Sequence, residues 1–265
     1  MSEWNHELSL ARRASRQACE LIYSAFSGDV DVQQKQDASL VTAVDRDSER
    51  IIIDILRKES EHAVLSEETG SIPGTTGYTW VIDPIDGTTN FSRKHTPFAV
   101  SIALMKNHES LVGVIENPLT NECFHAQKGG GTFSNDSRIV VAENDRPAHS
   151  ILFFNYGSST KSRHLIVKVV DRLIDSFDLR TWGTTAWELC AVAKGTADGF
   201  ICVGDKLWDY AAGMLLVQEA GGLFTNWRGG PWSAEDSFVL ASNPKIHPIL
   251  LEYLSGLQPV TETNP

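Results

Sequence analysis

The residues best placed to do chemistry lie in one short run, Asp83-Pro84-Ile85-Asp86-Gly87-Thr88-Thr89. Hard cations such as Mg2+ take oxygen ligands in strict geometry. A turn stiffened by proline and offering two carboxylates and the Ile85 carbonyl suits such an ion. Gly87-Thr88-Thr89 then reads as a helix start. Its free N–H groups and positive dipole end make a pocket for an anion. Cation ligands and a phosphate cradle are thus adjacent on one turn. An isolated Asp-x-x-Asp would be an ordinary solvated turn, and it is the adjacency that points to phosphate-ester chemistry.

The elements that must hold this turn are legible around it. Residues 78–82 read as a buried strand that stops at Pro84, and 63–66 as a second short strand; GSIPGTTG between them reads as a loop. Upstream, Leu8, Ala11, Ala14, Ala18, Leu21, Ile22 and Ala25 form one apolar stripe, predicting a helix over 5–27 that ends at Gly28-Asp29. Thr42 and Asp45 form a capping-box pattern, opening a second helix over about 43–60 antiparallel to the first. Alternation predicts strands at 98–105, 111–117 and 122–127, a meander in a large antiparallel sheet. After 150 the pattern becomes α/β. Strands are expected at 150–154, 179–182, 198–203 and 237–241, with helices at 161–176, 185–194, 209–220 and 246–255. The fold class is α+β in the first half and α/β in the second, a layered sandwich of helices and sheets. We expect a half at 1–145, a half at 146–257, one cooperative unit between them, and a tail at 258–265 without regular structure.

The string from Trp80 to Phe91 resembles the signature of the inositol monophosphatase family. Leu40 to Asp45 resembles that family's first motif, Ser66-Glu67-Glu68-Thr69-Gly70 its glutamate motif, and Trp208 to Gly213 with Glu219-Ala220-Gly221-Gly222 its C-terminal signature. The order matches, and the resemblance spans roughly residues 8–255. It implies layers alternating α-β-α-β-α and Mg2+-dependent hydrolysis of a small phosphate monoester, with two or three ions per site. By that resemblance Glu67, Asp83 and the Ile85 carbonyl hold one ion, Asp83, Asp86 and Asp209 a second, and Glu67 touches a weaker third through water. Asp45 and Thr88 orient the attacking water, with Glu67 among the catalytic residues. Gly87 and Thr88 amides receive phosphate oxygens. Gly183, Thr184 and Thr185 line the hydroxyl side of the substrate, and the positions of Cys202 and Asp209 belong to the substrate side as well. The resemblance also implies a homodimer and lithium sensitivity. Phosphoryl transfer needs positioning and charge neutralisation more than covalent help, so in-line attack of water without a phosphoenzyme is expected.

The glutamate motif begins with Ser66 where the family usually has Gly, and a second position departs more consequentially. Inositol phosphatases of animals carry a glutamate seven residues before the final aspartate, where it meets ring hydroxyls; here Cys202 stands there, a poor acceptor. Asp205 or Lys206 could substitute from the same loop. Inositol 1-phosphate is the leading substrate. Histidinol phosphate, fructose 1,6-bisphosphate and adenosine 3′,5′-bisphosphate are the alternatives on this scaffold. A different class, a partner protein in transcription complexes, also occurs among bacterial members. Trp208 and Phe91 read as packing residues, and His95 is not a ligand of the family pattern.

Composition narrows the classes further. The chain has 265 residues, 42% hydrophobic and 22% charged, with a net charge of −11. A nucleic-acid footprint would need a basic stripe; the one dense basic stretch, Arg12, Arg13 and Arg16, reads as a solvated helix face. No apolar run of membrane-spanning length and no signal-peptide core is present, so a cytoplasmic protein is expected. Four scattered cysteines read as free thiols rather than a zinc site.

Overall fold

A computed structural model of the chain describes residues 3–28, 32–34, 40–233, 236 and 238–257. The predicted tail at 258–265, and Asp29 at the end of the first predicted helix, lie outside the described residues. In chain order the first half comprises α1 (Asn5–Phe26), β1 (Val32–Gln34), β2 (Leu40–Thr42), α2 (Ala43–Glu59), β3 (Ala63–Ser66), β4 (Gly70–Ile72), β5 (Thr79–Asp86), α3 (Thr88–Ser92), β6 (Ala99–Lys106), β7 (Glu109–Glu116), β8 (Cys123–Gln127), β9 (Gly131–Ser134) and β10 (Ser137–Ile139). The second comprises β11 (Ile151–Tyr156), α4 (Thr160–Leu173), β12 (Asp178–Arg180), α5 (Thr185–Ala193), β13 (Gly199–Val203), α6 (Leu207–Glu219), β14 (Leu223–Thr225), β15 (Phe238–Ser242) and α7 (His247–Leu254).

Three clusters of buried side chains define five layers, α-β-α-β-α. The helices α1 and α2 bury Leu10, Ala14, Ile22, Ile52 and Leu56 against one face of an eight-stranded sheet, where Trp80, Ile82, Ile102 and Val114 receive them. The other face of that sheet, with Val81, Ala103 and Ile115, packs on α5 and α6. Those two helices are apolar nearly all round, which suits a layer buried between two sheets. Phe200, Cys202 and Val239 of a five-stranded sheet close this central core from the far side. The remaining face of the second sheet packs on α4 and α7 through Ile201, Leu240, Leu165 and Leu250. No described helix is long and apolar enough to cross a membrane.

The large sheet runs β10-β9-β8-β7-β6-β5-β3-β4. It is mixed, not purely antiparallel as the meander suggested, because β3 pairs with β5 in parallel. Part of the expected GSIPGTTG loop forms the edge strand β4 against β3. The short strands β9 and β10 extend the other edge beyond the expected meander.

The strand before the acidic turn differs most from expectation. It does not stop at Pro84 but runs through to Asp86. Its pairing with β6 shifts between Asp83, opposite Ser101, and Asp86, opposite Ala99, so the strand advances three residues against two. That extra residue is a bulge, one of the few places where a proline is tolerated inside a sheet. In an unbroken strand, side chains three apart point to opposite faces. One extra residue reverses the parity, and Asp83 and Asp86 come to the same side.

Candidate active site

Asp83, Asp86 and Asp209 each offer a carboxylate oxygen, and the three oxygens lie within 4.8 Å of one another. Asp83 and Asp86 are buried, and Asp209 is partly buried. The first two are aligned by the β5 bulge. The third sits in the first turn of α6, where its carboxylate accepts the Lys206 N–H at 2.6 Å. That helix is seated close to the sheet: a Cβ at Gly113 would lie 2.8 Å from the Ala212 carbonyl oxygen, and Ser110 Oγ donates to the Ala211 carbonyl at 2.7 Å. The absence of a side chain at Gly113 therefore lets the third aspartate approach the first two.

Electrostatics set the three carboxylates against one another. Burial, then the charges of Glu67, Asp86 and Asp209, push the Asp83 carboxyl well above its ordinary value. Burial pushes Asp86 up to about 7, against the opposing hydrogen bonds from Thr184 and Ala186. Burial raises Asp209, and Asp205 and Asp86 add to it. Crowded carboxylates cannot all ionise without compensation. Among the described residues no Lys or Arg forms an ion pair with any of the three.

The surrounding residues hold each carboxylate in a fixed direction. Ile85 N–H donates to Asp83 Oδ1 at 3.0 Å, a bond made within the bulge. Asp86 Oδ2 accepts Ala186 N–H at 2.7 Å and the Thr184 hydroxyl, both from the start of α5. Glu67 follows β3, its N–H donating to the Ile82 carbonyl at 3.3 Å. Ser48 Oγ donates to the Pro84 carbonyl at 3.3 Å, tying α2 to the bulge.

Asp45 is the buried N3 residue of α2, and the capping box expected from Thr42 and Asp45 is present. Asp45 Oδ2 accepts the Thr42 N–H at 2.8 Å. Asp45 Oδ1 lies 2.9 Å from Thr88 Oγ1, which also lies 3.0 Å from the Ile85 carbonyl. Burial raises the Asp45 carboxyl, and the bonds from Thr42 and Thr88 oppose that rise. Gly87 caps the short α3 at φ +90°, a left-handed conformation natural to glycine. A Cβ there would also press on Thr184 Cβ at 3.3 Å. So the two halves of the chain meet without clearance at this residue.

Gly183, Thr184 and Thr185 precede and open α5 next to Asp86. The Gly183 N–H donates to Glu188 Oε1 at 3.2 Å, the Thr184 hydroxyl to Asp86, and the Thr185 hydroxyl to Asp205. Cys202 is 1% exposed, in the core between the sheets, and burial and then the charge of nearby Asp205 push its thiol up. It therefore stands behind Asp205 rather than at an open surface. Phe91 is fully buried among Phe26 and Phe98, His95 is exposed, and Trp208 packs partly buried against the central core.

Sequence reasoning missed Glu49. Its buried carboxylate accepts the Glu68 N–H at 3.0 Å, the Thr69 N–H at 3.1 Å and the hydroxyls of Ser66 and Thr69. It thereby shapes the turn carrying Glu67. The available signal was helical spacing: Glu49 lies four residues after Asp45, on the same face of α2.

The inositol monophosphatase family model matches residues 4–258, and the chain belongs to that family. A protein of Pasteurella multocida named Nus factor SuhB is 37% identical over 261 residues, 96% of this chain and 97% of that one. The inositol-1-monophosphatase of Bacillus subtilis is 32% identical over 258 residues, 95% and 97% of the two chains. Among solved structures, the extragenic suppressor protein suhB of Bartonella henselae superposes with a TM-score of 0.90 at 30% identity, covering 94% of this chain and 98% of its own.

Proposed function

We propose that this chain is a Mg2+-dependent phosphomonoesterase acting on a small polyol phosphate, with inositol 1-phosphate the leading substrate. The observation that carries the reading is the convergence of three aspartate oxygens within 4.8 Å beside the Gly87-Thr88 turn. The donor set is all oxygen, which fits Mg2+ and not a softer metal. Asp83, Asp86, Asp209, Glu67 and the Ile85 carbonyl would hold two or three ions. When bound, the ions supply charge neutralisation for the phosphate and make water more acidic near neutral pH.

The chain's own groups do the rest. Asp45, fixed by Thr42, accepts the Thr88 hydroxyl proton, which leaves a lone pair on the Thr88 oxygen to accept from water. That arrangement orients a nucleophile on one side of the phosphate. Gly87 and Thr88 N–H groups, at the start of α3, receive phosphate oxygens. Gly183 and Thr184 have their donors engaged by Glu188 and Asp86, so they shape the substrate side rather than bind through those atoms. Relatives named as inositol monophosphatases support the substrate. A homodimer and lithium inhibition accompany this reading by family resemblance, and a cytoplasmic site of action is part of it.

The test is phosphate release with Mg2+ from inositol 1-phosphate, histidinol phosphate, fructose 1,6-bisphosphate and adenosine 3′,5′-bisphosphate. One substrate preferred about a hundredfold in kcat/KM, near 2.7 kcal/mol, names the activity. Turnover of none of them with metal present defeats the reading. A second reading, a partner in transcription complexes, is favoured by the relatives named Nus factor SuhB. Co-purification of polymerase components with both wild type and Asp86→Asn would support it, since that variant separates a docking surface from catalysis.

A further inference from the structure

We propose that Asp205 is the specificity-determining residue of this site, accepting a hydrogen bond from a donor group on the substrate and disfavouring a second phosphate. The inference rests on the phosphatase reading above and deepens it.

Two consecutive threonines carry the geometry. At the start of α5, Thr184 donates to Asp86 and Thr185 donates to Asp205. Two adjacent residues therefore anchor both carboxylates, one in the acidic cluster and one outside it. Thr185 is itself held, accepting from Asn155 Nδ2 at 2.9 Å. The charge of Asp205 adds to the upward push on both Asp86 and Asp209, which places it within electrostatic reach of the cluster. Asp205 follows Gly204, whose φ of +84° turns the chain from β13 toward α6.

Asp205 is partly exposed, and no described Lys or Arg forms an ion pair with it; burial raises its carboxyl, and the Thr185 hydroxyl and the charge of Lys206 oppose that rise. The Thr185 hydroxyl donates to it. An ionised carboxylate has about four acceptor positions, so lone pairs remain for a ligand. Position 202 explains why the acid can stand here. Cys202 lies within electrostatic reach of Asp205, and a glutamate at 202 would set a second carboxylate near it, at a like-charge cost. A small neutral thiol removes that conflict while leaving the acceptor at 205.

The chemistry selects substituents. A hydroxyl or an ammonium on the carbon frame next to the ester can donate to Asp205. A second phosphate there meets an acid whose ionised form repels it. So monophosphates of polyols or amino alcohols are favoured over bisphosphates, and the hydroxyl and ammonium cases differ in how they respond to loss of charge.

The experiment compares kcat/KM for three esters, each as a ratio to a hydroxyl-free aryl phosphate measured on the same enzyme. The esters are inositol 1-phosphate, histidinol phosphate and fructose 1,6-bisphosphate. The enzymes are wild type, Asp205→Ala, Asp205→Asn and Asp205→Glu. A hydrogen bond to a charged group is worth roughly a ten- to hundredfold effect. The preferred donor-bearing ester should lose that much of its ratio in Asp205→Ala, mostly through KM, and Asp205→Glu should restore part of it. If the donor is a hydroxyl, Asp205→Asn retains most of the ratio, because an amide oxygen still accepts. An ammonium donor instead makes Asp205→Asn as poor as Asp205→Ala. In either case the bisphosphate ratio rises in both neutral variants. Equal losses on the aryl and the donor-bearing esters would make Asp205 merely structural and overturn the inference while leaving the phosphatase reading intact. No turnover of any ester, the aryl one included, by wild type would overturn both.

Discussion

Two buried acidic regions of this molecule solve the same problem in opposite ways. On β7, Glu116 is 1% exposed, yet Arg16 lies 2.9 Å away and Ser15 Oγ donates to it at 2.9 Å. Burial raises its carboxyl, and Ser15, Arg16 and Arg12 all pull it back down. The chain therefore supplies its own cation there. On β5 and α6, Asp83, Asp86 and Asp209 crowd together with no described Lys or Arg paired to them, and each neighbour makes ionisation harder for the others. The first arrangement has its charge paired as folded. The second is an arrangement of crowded charge that no described side chain balances and that protonation or a bound cation would relieve, which is what separates a structural acid from a candidate site.

The sharpest way to break this contrast is to neutralise one acid in each region. Asp86→Asn removes a ligand but keeps the bonds from Thr184 and Ala186 possible at the amide oxygen. If bound cations contribute several kcal/mol to the reaction, kcat should fall about a thousandfold or more, and the stabilisation by Mg2+ should shrink with it. Glu116→Gln should leave kcat within a fewfold of wild type. Comparable losses in the two variants, read by phosphate release, would show that the contrast between the regions is not functional.

Metal and pH sharpen it next. Asp86 has its folded value raised to about 7, well above its ordinary 3.8. A carboxylate raised in the folded state binds more protons than in the unfolded chain between those values, so its contribution to stability is present at low pH and lost as pH rises through about 7. Mg2+ requires the ionised form. The metal-free protein should therefore lose stability from pH 5.5 to pH 8, and added Mg2+ should raise Tm more at pH 8 than at pH 5.5. Saturation at about a hundredfold above Kd is worth about 2.7 kcal/mol. A shift in Tm that is independent of pH, or absent, would count against carboxylate-held metal.

Much of this was legible beforehand for physical reasons that can be named. The capping box at Thr42 and Asp45, the amphipathic stripe of α1 and the acidic turn itself are local patterns, and local patterns survive in a sequence. The bulge at Pro84-Ile85 was not legible as such. Proline announced a break, but whether the strand ends or continues with altered parity is decided by pairing with Ala99 and Ser101, far along the chain. Strand β4 was hidden by its glycine and proline neighbours, because an edge strand needs only one partner. Gly113 carried no visible signal either; its role depends on Ala212, ninety-nine positions later. Among site residues, those in motifs were readable from type and spacing. The placement of Cys202 behind Asp205, and the use of Thr184 to hold Asp86 rather than to face solvent, depend on tertiary contacts between halves.

The smallest effect is expected where the chain balances its own charge. Arg16→Ala leaves Glu116 buried beside Ser15 with Arg12 as its remaining nearby cation. Removing one partner of a fully buried pair costs several kcal/mol, but the Arg16 side chain is 47% exposed, so water screens much of the interaction. A loss of about 1–2 kcal/mol follows, lowering Tm by roughly 2–8 °C for a domain of this size. The double change Arg16→Ala with Glu116→Gln should recover part of it, since the uncompensated charge is gone. The central core joins Val81 and Ala103 from before residue 145 to Leu189 and Phe200 after it, so each melt should be a single transition. Activity should stay near wild type in both variants after correction for folded protein. If Arg16→Ala instead abolished turnover while Tm held, the Glu116 region would belong to the functional machinery, and its self-balanced charge would need another explanation than stability.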